Sequence, residues 1–141
     1  MILEQIKDVP DEAAVLLDVP VGTGRFFPFY KEYGFKPTGV DISDDMLSEA
    51  AGKAKDLGIE VELLNGSIEQ LNFDEDSFVT VVCIRILNWV DFHALSRIFS
   101  ELSRVASDNI VVGIRVSEWE RRGLIGSTVQ FTSFWGLASY R

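Results

Sequence analysis

The chain of 141 residues is 47% hydrophobic and 25% charged, a composition typical of a soluble globular protein, and residues 1–141 are interpreted as a single domain. Its formal net charge of -9 argues against a nucleic-acid surface and against an anionic membrane as partner, because both need clustered Lys and Arg. The one cysteine, Cys83, excludes an intrachain disulfide and a cysteine-based zinc site, and we expect no metal centre.

Five short apolar runs predict buried strands, because they are rich in aliphatic or β-branched residues and are bounded by turn residues. The predicted strands are 13–19, 38–42, 59–64, 78–86 and 110–116. Helical spacing predicts three helices between them. The predicted helices are 25–33, the segment from Ser43 to Gly58, and 92–106. This alternation predicts an α/β fold with a doubly wound, mainly parallel sheet and helices on both faces.

The helix boundaries carry capping residues. Ser43 and Asp91 are suited to the N-cap position, and Gly34 and Gly58 are suited to helix C-termini. The second and third helices each have one apolar stripe that should face the sheet. These stripes are Leu47, Ala50, Ala51, Ala54 and Leu57, and Leu95, Ile98, Phe99, Leu102 and Val105.

The segment after Ser117 shows no clear period, and we predict a helix or loop followed by a strand. Its aromatic residues Phe131, Phe134 and Trp135 have two interpretations. They cover the core and the sheet edge, or they form an exposed apolar surface that pairs with a second copy in a homodimer.

A glycine-containing bend follows the first predicted strand. Asp18 closes the strand, and Gly22, Thr23 and Gly24 follow it. Glycines let the backbone turn sharply and approach a ligand, and the next helix presents free N–H groups. Asp41 closes the second strand, where a carboxylate can accept hydrogen bonds from ribose hydroxyls. Because doubly wound sheets bind ligands at the carboxyl ends of their strands, the sequence predicts a site for a ribose-containing ligand.

The bend disfavours a dinucleotide. The third glycine of the dinucleotide pattern G-x-G-x-x-G would stand at Phe27, whose bulk is unfavourable there. The carboxylate of Asp18 would repel a pyrophosphate, whereas it suits a ligand that carries an ammonium and a sulfonium. A dinucleotide oxidoreductase is therefore the least favoured of the three functions that we consider.

Three stretches resemble the motifs of class I S-adenosylmethionine-dependent methyltransferases. LLDVPVGTGRF resembles motif I of that family, D/E-x-G-x-G-x-G, and GVDIS-x-x-ML resembles the second motif. NGSIEQLNFDEDSFVTVVCIRILNWV resembles the third and fourth motifs. The resemblance runs from about Leu16 to Val116 and implies S-adenosylmethionine as the cofactor.

The resemblance implies roles for the residues of the bend. Gly22 and Gly24, with Thr23 between them, would give backbone room beside the methionine moiety. Asp18 would orient the bend and help to hold the ligand's amino group. Asp41 would bind the ribose hydroxyls.

Further cofactor contacts are implied by the later motifs. Ile42 would pack on the adenine, and Ile68 would cover its ring. Ser67 stands where the family often has an Asp that contacts the adenine amino group. Ile84 and Arg85 would lie near the methionine end.

The chain departs from the family pattern at several points. Pro20 replaces the first glycine of motif I, and Ser67 is a weaker, neutral substitute for Asp. Family members normally continue after the fifth strand with a helix and an antiparallel pair of strands. The remaining residues are too few for all three, so we expect the last strands to be incomplete.

The acceptor side of the site is less defined. We expect His93 on a helix surface and Asp91 as a cap, with a role as general base as the alternative for each. Asn88 and Trp89 line an acceptor pocket, or Trp89 belongs to the core. The N/D-P-P-Y/F signature of amino-group methylating enzymes is missing, which disfavours DNA and leaves a small-molecule acceptor. The second hypothesis is a methyltransferase-like binding module that has lost turnover.

The sequence also yields an expectation for location. No apolar run approaches the ~18 residues of a membrane span. Residues 1–14 are too acidic and too polar for a signal peptide. We therefore expect a cytoplasmic protein whose Cys83 is a buried structural thiol.

Overall fold

The computed structural model describes residues 15–86, 89–117 and 127–133, with the backbone alone at 114–117 and 127–133. In these ranges one helix separates the first and second strands, one the second and third, and one the fourth and fifth, as the sequence predicts. The strands are β1 (Val15–Asp18), β2 (Lys36–Asp41), β3 (Glu62–Asn65), β4 (Phe78–Ile84), β5 (Ala106–Ser117) and β6 (Ser127–Ser133). The helices are α1 (Phe27–Glu32), α2 (Asp44–Leu57) and α3 (Phe92–Val105).

The strands form one sheet in the order β3-β2-β1-β4-β5-β6. The pairs from β3 to β5 are parallel, and β6 runs antiparallel to β5. The strand order reverses between β1 and β4, which lie side by side. The prediction of a doubly wound, mainly parallel sheet is therefore confirmed, and an antiparallel strand is present after β5.

Apolar side chains cover both faces of the sheet. One cluster joins α1 and α2 to strand residues, including Phe27, Tyr30 and Ala50. The other cluster joins α3 and the connection before β4 to the opposite face, including Leu71 and Ile98. The predicted placement of helices on both faces is confirmed, and burial of these side chains is the main stabilising contribution.

The helix ends follow the predicted caps. The Ser43 Oγ accepts the Met46 N–H at 3.3 Å, and the Asp91 Oδ1 accepts the Ala94 N–H at 2.8 Å. Gly58 ends α2 in the left-handed conformation with φ 63°, which favours glycine.

Several predicted boundaries are wrong by a few residues, and the largest shift is at β5, which begins at Ala106 instead of residue 110. The third strand begins at Glu62 instead of residue 59, because the Ile59 N–H donates to the carbonyl of Ala54 and so completes the end of α2. Ala51 and Phe99, each one position beyond a buried residue of its helix, are exposed. The stripes that face the sheet are thus narrower than the sequence suggested.

Some expectations fall on residues outside the described ranges. They concern the backbone of residues 13–14, 118–126 and 134–141, the side chain of Phe131, and Asn88. The interpretation of Phe134 and Trp135 as a cover or a dimer surface stays a prediction. None of the three helices given above combines the length and the apolarity that a bilayer crossing needs.

Candidate functional site

The bend after β1 lies across the carboxyl ends of neighbouring strands. The Val19 N–H donates to the Val82 carbonyl, and the Val21 N–H donates to the Val40 carbonyl, each at 2.9 Å. Pro20, in the place of the first motif glycine, follows a cis peptide bond. These contacts fix the bend to β4 and β2, at the switch point where doubly wound sheets bind ligands.

The Asp41 carboxylate joins this bend to the start of α2. The Gly22 N–H donates to Oδ2 and the Ser43 N–H donates to Oδ1, both at 2.9 Å. An ionised carboxylate has about four lone-pair positions, so these two bonds leave it able to accept others. The bend and the carboxylate that the sequence singled out are therefore neighbours at one edge of the sheet.

The two motif glycines serve different needs. Both have positive φ, 55° at Gly22 and 73° at Gly24. A Cβ on Gly22 would meet no atom within 4 Å, whereas a Cβ on Gly24 would lie 2.3 Å from the Phe27 ring. The position that a Cβ would take at Gly24 is therefore filled by the core, and the ligand room expected beside the two glycines stays a prediction.

The Gly24→Ala substitution should destabilise the fold by about 3 kcal/mol, because the positive φ and the clash with buried Phe27 add together. Gly34→Ala is the matched control, since its φ is 72° and a Cβ there meets nothing. That control should cost only about 1 kcal/mol. Urea unfolding of both variants measures the difference, and equal losses would contradict the packing role of Gly24.

Asp18 is a buried carboxyl beneath the bend. The Tyr30 hydroxyl donates to its Oδ2 at 2.9 Å. Burial raises the pKa of Asp18 from 3.8 to about 7, the bond from Tyr30 opposes this increase, and the charge of Asp41 adds to it. Its protonation therefore changes near neutral pH. Cys83 is fully buried, as predicted, and its burial and the Asp18 charge raise the pKa of the thiol to about 12.

An exposed apolar side chain follows Asp41 directly. Ile42 is 74% exposed, although a large aliphatic side chain gains by burial. The backbone of Asp41 is also bonded to the segment after β3, since the Gly66 N–H donates to the Asp41 carbonyl at 3.0 Å. The turn that begins after Gly66 is thus held beside Asp41.

Ser67 and Ile68 form that turn. The Ser67 Oγ accepts the backbone N–H of Glu69 at 3.2 Å, and Ser67 pairs with Gln70 in a short bridge. Ile68 is half-buried and packs against the core on the α3 face. Both predicted adenine contacts therefore lie at the same edge of the sheet as Asp41.

The end of β4 carries the two remaining predicted contacts. Ile84 is the last residue of β4 and is half-buried. Arg85 has φ 74°, and its N–H donates to the Gly113 carbonyl at 3.0 Å. A positive φ in a residue other than glycine is unusual and is often found at functional sites.

Aromatic side chains stand exposed after β4. Trp89 is 84% exposed and Phe92 is 81% exposed, so the alternative that Trp89 belongs to the core is wrong. His93 is exposed and meets Phe92 edge-on, with ring centroids 6.3 Å apart. Asp91 caps α3, as expected.

Three residues that make important structural contacts were not predicted from the sequence. Tyr30 holds Asp18, and Glu101 and Arg104 of α3 hold the connection before β4. The spacing of Glu101 and Arg104 on one helix face is a signal for a charged pair. Nothing in the sequence indicated which distant backbone groups they would bind.

Comparison with known proteins places the chain in a family. The family model described as "Methyltransferase domain" matches residues 16–109. The chain belongs to this methyltransferase domain family. The resemblance to class I S-adenosylmethionine-dependent methyltransferases is thereby confirmed.

Individual relatives agree with this assignment. The chain is 35% identical over 92 residues to the phosphatidylethanolamine N-methyltransferase of Cereibacter sphaeroides, covering 64% of this chain and 44% of the relative. The solved PH0226 protein from Pyrococcus horikoshii OT3 has 31% identity and a TM-score of 0.68, covering 72% of this chain and 49% of that one.

A third relative shows the fold alone. The magnesium protoporphyrin IX methyltransferase from Synechocystis PCC 6803, solved with bound SAM, has 20% identity and a TM-score of 0.71, with 82% of this chain and 55% of that one covered. This methyltransferase chain therefore spans about half the length of these relatives.

Proposed function

We propose that the protein transfers a methyl group from S-adenosylmethionine to a small-molecule acceptor. The observation that carries this proposal is the pair of hydrogen bonds by which Asp41 joins the Gly22 backbone to the start of α2. A family that uses this cofactor, and a bend that meets a ribose-binding carboxylate, point to the same ligand.

The residues around Asp41 fit an adenosine. Asp41 has lone pairs left for the two ribose hydroxyls. Ile42 offers an exposed apolar face for the adenine on one side. Ser67 and Ile68 would meet the ring from the other side, with the Ser67 hydroxyl near the adenine amino group.

The residues of the bend fit the methionine part. In this proposal Asp18 attracts the ligand's amino group, and the open side of Gly22 and Thr23 leaves room for the chain that carries it. Ile84 and Arg85 line the same end, whereas Gly24 supports the bend by packing on Phe27.

Methyl transfer from S-adenosylmethionine requires the protein mainly to position the methyl donor and the acceptor. When bound, S-adenosylmethionine supplies a methyl group on a sulfonium that is already activated as a leaving group. The residues of the site then have to align donor and acceptor and exclude water, which can supply much of the rate. A base is needed only if the acceptor must lose a proton, and we assign none.

The exposed aromatic pair indicates the kind of acceptor. Trp89 and Phe92 follow β4, on the side where Ile84 and Arg85 would meet the methionine end. One relative, at 35% identity, is named for an acceptor with a large apolar part, phosphatidylethanolamine. We therefore propose a small molecule with a substantial apolar part, which would cover these two rings.

Two measurements test the proposed function. Calorimetric titration with S-adenosylhomocysteine should give saturable binding, whereas titration with NADH should give none. Incubation with methyl-tritiated S-adenosylmethionine and a panel of apolar acceptors should transfer label. Binding without transfer to any acceptor would favour a binding module that lacks turnover, and nucleotide fluorescence enhancement with NADH would favour an oxidoreductase.

A further inference from the structure

One face of α3 is polar and turns toward the connection between β3 and β4. Arg97, Glu101 and Arg104 are spaced by four and three residues, so they lie on the same side of the helix. The connection, residues 66–77, is fully described and contains no helix and no strand beyond the short bridge at Ser67.

Arg104 and Glu101 bind the main chain of this connection directly. The Arg104 guanidinium donates to the carbonyl of Leu71 at 2.8 Å and to the carbonyl of Phe73 at 2.6 Å. The Glu101 carboxylate accepts the Leu71 N–H at 2.6 Å. The backbone carbonyl of Arg104 also accepts the Asp76 N–H at 2.9 Å.

Arg104 and Glu101 bind each other as well as the main chain of the connection. Arg104 donates to both oxygens of Glu101, at 2.8 and 2.9 Å. The bond from Arg104 lowers the pKa of Glu101 below its ordinary range, so the carboxylate stays charged at neutral pH. Charge-assisted bonds of this kind are stronger than bonds between neutral groups.

These bonds replace those that regular secondary structure would supply. Leu71 is buried in the core next to α3, and backbone groups in such a place need partners. The connection reaches Leu71 only three residues after Ile68, so fixing the main chain at Leu71 limits where the turn at Ser67 and Ile68 can lie.

We propose that Glu101 and Arg104 are positioning residues for the cofactor site, which hold Ser67 and Ile68 at the place where the adenine would lie. This inference rests on the proposed function, because it gives the turn a ligand to meet. In this proposal α3 not only covers one face of the sheet but also positions the turn that would contact the adenine.

The helix offers a matched control. Arg97 pairs at 2.6 Å with Glu69 of the same turn, but this pair joins side chains only, and the two are 57% and 37% exposed. Exposed pairs contribute little, so Arg97→Ala removes a positive charge from the same helix face without releasing the Leu71 backbone.

The test compares Glu101→Ala, Glu101→Gln, Arg104→Lys and Arg97→Ala. Loss of the carboxylate should raise the hydrogen-exchange rate of the Leu71 amide without ligand and weaken S-adenosylhomocysteine binding about tenfold. Glu101→Gln should recover only part of both, since its amide oxygen can still accept the Leu71 N–H but its amino group cannot accept from Arg104. Arg104→Lys should bind S-adenosylhomocysteine more weakly, because a lysine ammonium cannot replace the several N–H donors of the planar guanidinium. Arg97→Ala should stay within about twofold of wild type in affinity.

A readout on the adenine itself separates positioning from general stability. The wild type should prefer S-adenosylhomocysteine over its inosine analogue, in which an oxygen replaces the amino group, and Glu101→Ala should narrow that preference. Unchanged Leu71 exchange or unchanged preference in Glu101→Ala would overturn this inference while leaving wild-type binding, and so the proposed function, in place. A wild type that binds no S-adenosylhomocysteine would defeat both.

Discussion

Replacement of Asp41 with alanine should weaken binding of S-adenosylhomocysteine at least about a hundredfold. The proposed ligand donates two ribose hydroxyls to this carboxylate, and each bond to a charged acceptor contributes about 1.5–3 kcal/mol. The substitution also removes the anchor of the Gly22 and Ser43 amides. Both effects act in the same direction, since the bend and the ribose contact are lost together.

Isothermal calorimetry of folded variants measures this loss. Asp45→Ala is the matched control, because Asp45 is an exposed acid in the first turn of α2, and its affinity should stay within about twofold of wild type. Asp41→Asn should fall between the two, since an amide oxygen accepts one amide bond but carries no charge. Full affinity in Asp41→Ala would rule out a ribose contact at this carboxylate.

The second large effect concerns Asp18 and pH. Its pKa is raised in the folded protein, from 3.8 to about 7, so between these values the folded state binds more protons than the unfolded state. The free energy of unfolding that depends on Asp18 therefore falls as pH rises from about 4 to about 7. The full difference amounts to about 4 kcal/mol as an upper estimate.

Asp18→Asn should remove this dependence. Relative to wild type the variant should gain stability as pH rises, with the advantage complete above about pH 7. Urea unfolding from pH 5 to pH 8 measures the difference between the two proteins, with Asp45→Asn as a control that should follow wild type. Parallel curves for wild type and Asp18→Asn would contradict a buried carboxyl that titrates near neutral pH.

Ligand affinity should change with pH in the opposite sense. In the proposed site the charged form of Asp18 attracts the ligand's amino group, so S-adenosylhomocysteine should bind more tightly at pH 8 than at pH 6. Asp18→Asn should bind weakly and lose most of this slope. An equal slope in wild type and variant would assign the pH dependence to another group.

Much of the fold was predictable because its signals are local. The strand runs, the cap at Ser43 and the cap at Asp91 each depend on neighbouring residues, and all are present in the structure. The start of β3 was misplaced because Ile59 bonds back to Ala54, a contact that apolar pattern alone does not report. The pairing of β6 with β5, from Ser117 with Ser127 to Val111 with Ser133, could not be read from the apolar pattern, which shows no clear period after Ser117.

Some features of the candidate site could likewise be predicted from the sequence, and others could not. Adjacency of the bend and Asp41 followed from the order of parallel strands, since their carboxyl ends meet at one edge. The contact between Gly24 and the Phe27 ring could not be predicted, because the ring turns toward Gly24 only in the folded helix. The contacts of Arg104 with Leu71 and Phe73 span more than thirty residues, so the charged spacing on α3 could not name its partners.

A crystal structure of the chain with S-adenosylhomocysteine tests the assignment of the ligand most directly. We expect both ribose hydroxyls within hydrogen-bonding distance of the Asp41 carboxylate, the adenine between Ile42 and the turn at Ser67, and the amino-acid end beside Gly22. Electron density for the ligand at another surface, with the Asp41 oxygens bound only to the Gly22 and Ser43 amides, would contradict the proposed site.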